Sequence, residues 1–224
     1  MNHGAWTNWS GCVSCRPAVL AMPGDEMRVS ALVRDAARRG LTVRVAGTGH
    51  SFSALCVSDG LLLSLDRIRG IVAADAASRT AVIRAGSPIH ELGAPLRAAG
   101  LAMETMGDID RQTLAGAIST GTHGSGPTLG NISTQVVGLR LVTADGAIVD
   151  CSGEREPELF RLARVSLGAL GVITEVRLRV LPAYRLHERT WSCPFEQCMA
   201  ELDALVARNR HFEFSGGRLQ MRAT

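Results

Sequence analysis

Thr42-Val43-Arg44-Val45-Ala46-Gly47-Thr48-Gly49-His50-Ser51, residues 42–51, runs from a short strand pattern straight into a glycine-rich loop. Main-chain N–H groups close on an anionic ligand only where no bulky side chain blocks the approach, and the hydroxyls of Thr48 and Ser51 add donors. A second stretch of the same texture, Gly116 to Gly126 (GAISTGTHGSG), lies inside Met106 to Gly126, where Gly, Ala, Ser and Thr crowd together. Two such segments point to a ligand with a diphosphate. For the first segment alone, a tight turn joining strands is the plainer alternative.

Composition narrows the ligand class. All 24 residues counted as Lys+Arg are arginine, which removes Schiff-base catalysis and a phosphate loop built on a lysine. A dianion would have to be neutralised by oriented amides, helped by an arginine such as Arg44. The formal charge of +3, with 21 acids scattered among the arginines, gives no dense basic face, so nucleic acid is not an expected partner. Three Trp, one Tyr and five Phe are too few for base-stacking platforms. No apolar run approaches the ~20 residues that cross a bilayer, and Met1 to Gly24 lacks the pattern of a secretion signal. Membrane association is therefore not indicated and a cytoplasmic location is expected, with the six cysteines reduced.

The elements around the loops alternate between helix and strand. Asp25 caps a helix whose apolar positions Val29, Leu32, Val33 and Ala36 run to Gly40. Strands are expected at Leu61 to Leu65 and in a hairpin of Ile71 to Ala74 with Thr80 to Ala85. Ser87-Pro88 opens a helix that Gly100 closes. Gln135 to Val142 and Ala147 to Asp150 flank Ala144-Asp145-Gly146, read as a turn with positive φ at both centres. Glu158 to Leu167 is helix-like, and Val176, Leu178 and Val180 alternate with charged residues as in a strand with one wet face. After Pro182 the texture changes. One more amphipathic helix runs through Phe195, Met199, Leu202 and Val206, and a strand opens at His211 to Phe214 before Ser215 to Arg218.

Two other chemistries fit less well. A dinucleotide fold of the Rossmann type needs a third glycine where Phe52 stands and a crossover helix where Ser53 to Gly60 is turn-rich, although Asp66 lies about where a ribose-binding acid belongs. Metal is not expected: Cys12-x-x-Cys15 is a lone pair, Cys193 and Cys198 are loosely spaced, and His3, His90, His123, His187 and His211 are isolated. His50, between glycine and serine, has few local packing contacts and is suited to act as a ligand, base or nucleophile. His123, in a Thr-His-Gly turn, reads equally as a histidine bonded to its own loop.

Taken in order, Asn8-Trp9-Ser10, Val45 to Phe52 (VAGTGHSF), Met106-Gly107-Asp108, Gly116 to Gly126, Gln135-Val136-Val137, Leu141 to Gly146 (LVTADG) and Ala163 to Ile173 (ARVSLGALGVI) resemble the aldonolactone oxidoreductases of the vanillyl-alcohol-oxidase type flavoprotein superfamily. The resemblance implies an α+β fold: a two-subdomain FAD-binding domain of the PCMH type over residues 16–183, then the beginning of an incomplete α+β cap domain over 184–224. It implies FAD as cofactor. By the same resemblance Gly47, Thr48, Gly49 and Ser51 wrap the pyrophosphate, Asp108, Thr113, Gly116, Thr120, Gly121, Thr122 and His123 supply further contacts, and Ile173 a main-chain contact near the adenine. His50 matches the histidine that carries the flavin covalently through its 8α-methyl carbon. Relatives without that histidine bind FAD with no bond, so binding is the broader expectation and the tether the narrower one.

The resemblance also implies oxidation of a CH–OH group in a sugar lactone or polyol, of the L-gulono-1,4-lactone kind, with hydride passing to flavin N5 and electrons leaving to oxygen or another oxidant. The acid and arginine that handle the alcohol belong to the cap domain in that family, so no catalytic residue is expected within this chain, and a truncation or shifted frame near Phe214 is expected. A flavin-binding or interaction fragment without turnover is the alternative.

Overall fold

The computed structural model describes residues 4–126, 128–187, 189–208, 212–213 and 221–223. The chain begins with a two-stranded pair, β1 (Trp6–Thr7) and β2 (Ser14–Cys15), then β3 (Val19–Ala21), α1 (Glu26–Arg38), β4 (Val43–Ala46) and β5 (Leu61–Ser64). β3 and β4 flank β5, all parallel, in a three-stranded sheet. Asp25 caps α1 by accepting the Arg28 N–H at 2.7 Å, and Val29, Ser30, Val33 and Ala36 face inward. Burying Val29 and Val33 contributes about 1.5–3 kcal/mol each.

A five-stranded antiparallel sheet forms the second layer. Its strands are β6 (Ile71–Asp75), β7 (Thr80–Arg84), β9 (Val136–Val142), β10 (Ile148–Ser152) and β11 (Val172–Arg179), in the order β10-β9-β11-β7-β6. Between β7 and β9 lie α2 (Gly93–Ala98), β8 (Leu101–Ala102) and α3 (Leu114–Ser119); α4 (Pro157–Ala163) joins β10 to β11. β12 (Leu181–Pro182) pairs with β8. One core runs from Val19 to Val180 and includes both sheets. A separate small cluster holds Cys198 and Leu205 with Trp191 and Cys193, beside β13 (Arg189–Trp191), α5 (Phe195–Arg208), β14 (Phe212–Glu213) and β15 (Met221–Ala223). His3, His211, Phe214 and Ser215 to Arg218 lie outside the described residues.

One face of α1 ties the layers together. Glu26, Ser30 and Arg34, four residues apart, fall in line on the helix. Glu26 accepts from Arg140 Nε at 2.9 and 3.0 Å and from Thr174 Oγ1 at 2.5 Å, so it reaches β9 and β11 at once. One turn on, Ser30 Oγ donates to Gly146 O at 2.5 Å.

Three local expectations differ from what forms. Gly116 to Gly126, of the same texture as the first loop, is not all loop: Leu114, Ala117 and Ile118 are buried at helical spacing, and Thr113 caps α3 by accepting the Gly116 N–H. At Ser87-Pro88 the hydroxyl of Ser87 is already committed to Arg84 O and to the Gly70 N–H, so it caps nothing. A 3-10 turn, Ile89–Glu91, precedes α2 there. The turn at 144–146 has positive φ at Gly146 alone, because Ala144 would suffer its Cβ in that region. Gly146 N–H donates to Thr143 O and Thr143 N–H to Ala147 O, the pattern of a type I turn closed by a glycine bulge.

Candidate functional site

A cavity of about 690 Å³ opens between the two layers. Its wall takes Val33 and Ala37 from α1, Val43 to Ser51 from β4 and its loop, Ala85-Gly86, Gln112 to Gly116 with Ser119 and Thr120, Val142 to Ala144, and Leu167 to Ile173. The volume falls in the range of about 300–1,000 Å³ usual for cofactor and small-molecule sites.

The first glycine loop reaches the cavity because β4 ends at Ala46, where the parallel sheet stops and its edge opens towards α3. Gly47 is pressed against Thr113: a Cβ at 47 would overlap Thr113 Oγ1. Gly49 has φ +69, and a Cβ there would stand 3.0 Å from Trp6 Cζ2. Both glycines are therefore required by close approach or by a left-handed backbone. Among the described residues, the N–H groups of Gly47 to Ser51 donate to no protein acceptor. Unpaired main-chain donors on a cavity wall need an external partner, either a ligand or water.

The second segment serves differently from what its composition predicts. Its amides are largely spent within the chain: Gly116 N–H on Thr113 Oγ1, Gly121 N–H on Ile118 O and Thr122 N–H on Ala117 O. What it offers the cavity is small surface at Gly116 and Ser119 and the side chains of Thr113 and Thr120. Helix formation by 114–119 is the cause, since a helix consumes the donors that a loop would leave open.

Of the residues expected at the site, Gly47, Thr48, Gly49, His50, Ser51, Thr113, Gly116, Thr120 and Ile173 are on the cavity wall. Asp108, Gly121, Thr122 and His123 are not. They belong to an adjoining patch where Gly107 lies against Thr122 and Gly124 against Met106 O. Gln112 bridges the two, its Nε2 donating to Thr122 Oγ1 at 3.0 Å. His123 Nδ1 sits 2.9 Å from Gly124 O, the local bond that its turn suggested.

Several wall residues carried no signal in the sequence. Gln112, Leu55 and Cys56 stand in unremarkable contexts, and Leu167 to Gly171, a helix end and break by pattern, enter the expectation only through the resemblance over Ala163 to Ile173. Leu167 takes φ 52, and it and Gly168 both line the cavity. Burial pushes the Cys56 thiol above its usual range, so this wall cysteine favours its neutral form. Arg44 is the one charged side chain on the wall among the described residues.

His50 has the most distinctive surroundings. The indole of Trp9 lies flat on its imidazole, with centroids 4.4 Å apart and planes 2° apart, and Phe52 meets Trp9 edge-on at 5.4 Å. No helix follows the loop over 53–60, which removes the crossover that a Rossmann loop requires. No group of three or more metal-ligating side chains occurs among the described residues. Nor does any described helix have the length and apolarity to span a membrane.

The donor set fits FAD: a run of unspent amides for a diphosphate, an arginine on the same wall, glycines that let the loop pack closely on Thr113 and Trp6, and an imidazole among the lining residues. Comparison with known proteins agrees. The family described as FAD binding domain matches residues 17–152. L-gulono-1,4-lactone dehydrogenase of Mycobacterium tuberculosis is 36% identical over 209 residues, covering 93% of this chain and 48% of that protein. D-arabinono-1,4-lactone oxidase of Eremothecium gossypii is 41% identical over 193 residues, covering 84% of this chain and 36% of that protein. The chain thus spans about half, or less, of the length of these curated relatives. Among solved structures, cholesterol oxidase from B. sterolicum superposes with a TM-score of 0.84 over 98% of this chain and 46% of that one, at 19% identity, a likeness of fold alone. With more than half of its length matched, and with an α+β core of the same build, the chain belongs to the FAD-binding-domain family and is related to the aldonolactone oxidases and dehydrogenases.

Proposed function

We propose that the chain is the cofactor-binding part of an FAD-dependent oxidoreductase that oxidises a CH–OH group of a sugar lactone or polyol, with oxygen or another oxidant as final acceptor. The observation that carries this reading is the run of undonated amides from Gly47 to Ser51, on a cavity that also receives Thr113, Gly116 and Thr120. Bound FAD supplies the hydride acceptor.

The chain's own residues would hold it. Amides of Gly47, Thr48, Gly49 and Ser51 surround the diphosphate with Arg44 as the counter-charge, a pairing that works without lysine because oriented N–H dipoles cost no reorganisation. Thr113, Gly116, Thr120 and Ile173 line the remaining wall, and Asp108, Gly121, Thr122 and His123 form the patch behind it. His50 carries the flavin by a covalent bond. We assign the FAD-binding unit to 16–183, in keeping with the single core that ends at Val180, and the start of a cap domain to 184–224. A cytoplasmic location completes the proposal, consistent with six free thiols.

Purified chain mixed with FAD and precipitated in acid tests the reading. Yellow colour is expected to stay in the pellet, and His50→Ala is expected to release it. A chain that takes up no flavin overturns the proposal. Turnover of L-gulono-1,4-lactone with an artificial acceptor then distinguishes a competent enzyme from a fragment that binds flavin without turnover.

A further inference from the structure

None of residues 8–13 lies on the cavity wall, yet this N-terminal turn grips the loop that carries His50. Trp9 N–H donates to Gly49 O at 3.2 Å, and Asn8 Nδ2 donates to Ser51 O at 2.7 Å, so the bonds fall on either side of residue 50. The turn is itself braced: Asn8 N–H donates to Val13 O at 2.8 Å, and Asn8 Oδ1 accepts the Val13 N–H at 3.1 Å. Asn8 is buried, whereas Trp9 is 52% exposed. An indole left half in water contributes little to the core. Its closest ring partner is the imidazole of His50 at 4.4 Å and 2°, a parallel stack. Among the described residues no hydrogen bond reaches either ring nitrogen of His50. The stack therefore fixes the plane of the ring while consuming neither nitrogen.

We infer that Trp9 is a positioning residue for attachment of the flavin to His50, an inference that rests on the tether proposed above. In that attachment a ring nitrogen of His50 forms one N–C bond to the flavin methyl carbon. A methyl C–H and the imidazole N–H are given up, and two electrons with two protons pass to dioxygen as hydrogen peroxide. The imidazole torsion χ2 is broad and roughly two-fold when free. A ring held in one plane starts closer to attack geometry.

Wild type, Trp9→Ala, Trp9→Phe and His50→Ala, each prepared without flavin, are incubated with FAD in air. Flavin retained after acid precipitation is followed in time, and reversible affinity is read from flavin fluorescence before coupling. Histidine ring protons are recorded by NMR in the flavin-free proteins. His50 protons are expected upfield in wild type and to lose that shift in Trp9→Ala. Acid-stable incorporation is expected to slow by about tenfold in Trp9→Ala with the reversible Kd unchanged, to recover in Trp9→Phe, and to be absent in His50→Ala. Coupling at the wild-type rate in Trp9→Ala, or a slower rate matched by a proportionate loss of reversible affinity, overturns the inference. Wild type that binds FAD but releases all of it in acid also overturns it, and leaves the binding proposal standing. A chain that binds no FAD overturns both.

Discussion

Gly47→Ala tests the contact on which the cavity depends, that between the first glycine loop and the start of α3. The new Cβ would overlap Thr113 Oγ1 and stand 3.2 Å from Thr113 Cγ2. Thr113 is 4% exposed and its Oγ1 accepts the Gly116 N–H at 3.2 Å, so the side chain has no free volume to turn into and caps a helix where it is. Rotating it away gives up the cap, about 0.5–2 kcal/mol, and the overpacking adds about 1–3 kcal/mol. A total near 3 kcal/mol lowers the melting midpoint by about 6–12 °C in a chain of this size. Thr113→Ala alone loses the cap, about 1 kcal/mol, and leaves a small void. The double variant puts the methyl introduced at position 47 into the space that Thr113 vacates, so its cost should match that of Thr113→Ala. The coupling is then about 2–3 kcal/mol. Urea unfolding followed by far-UV circular dichroism on all four proteins measures it. Strictly additive costs would show that loop and helix start do not touch, and the shared cavity would lose its basis.

Removal of the carboxylate in Glu26→Ala should cost about 1–2 kcal/mol in the same unfolding assay, because it takes the nearer partner from Arg140, which keeps Asp150 at 3.6 Å, and one of two acceptors from the buried Thr174 hydroxyl. Glu26→Gln should recover part of it, and a cost below about 0.5 kcal/mol would mean that α1 is held by its apolar face alone. Hydrogen bonds from Ser10 and Asn8 hold the exposed Cys12 thiol below its ordinary pKa, whereas burial pushes that of Cys151 up. Limited alkylation at neutral pH, read by peptide mass spectrometry, should label Cys12 before Cys151 and slow at Cys12 in Ser10→Ala; the reverse order contradicts this. Asp145 is held below the usual carboxylate range by the Thr143 hydroxyl and the Ala147 N–H, and Asp75 by the Ser78 hydroxyl and the Ala77 N–H. Depressed carboxyls give stability that is present above the unfolded value of about 4 and is lost as pH falls through the folded values. Asp75→Ala/Asp145→Ala should flatten the acid limb of melting temperature against pH, and an unchanged limb would sink the assignment.

Elements with strong local signals were legible from residues alone. Asp25 and the spacing of Val29, Val33 and Ala36 announce α1, and the alternation through Val176 and Leu178 announces β11. The loop at 47–51 was legible because its glycines cluster after a strand, one answering a local positive φ at 49 and the other a close approach to the distant Thr113 at 47. Where two local preferences compete, the reading failed. Ser87 is a good cap in isolation, but Gly70, seventeen residues earlier, claims its hydroxyl. Small residues in 106–126 hid a helix whose apolar face is only Leu114, Ala117 and Ile118, too short for periodicity to register. The Trp9 stack on His50 spans forty-one positions, and no pattern within either segment predicts it.

The cavity wall follows the same division. Its donors come from one continuous run, Gly47 to Ser51, and a reading of sequence finds such runs readily. Its shape comes from pieces distant in the chain, namely Ala85-Gly86 after β7, Val142 to Ala144 after β9 and Leu167 to Gly171 before β11. These are strand ends of the antiparallel sheet, and they converge because β9, β11 and β7 are neighbours in the order of strands. Each contributes small or apolar surface with no charge, so nothing in composition marks them. Among the described residues Arg44 alone supplies charge, on the β4 side where the amides also stand. The wall's open amides and its one arginine therefore lie on the β4 side, while Gln112, Thr113, Ser119, Thr120 and Thr143 add polar side chains elsewhere among apolar surface from both layers. A ligand suited to it has an anionic centre held against β4 and its loop, and flat apolar parts received by the ends of the antiparallel strands. The cavity's shape thus depends on how the two layers meet, through a shared core and through the bonds of Glu26, Ser30 and Arg34 on α1, outside both glycine segments.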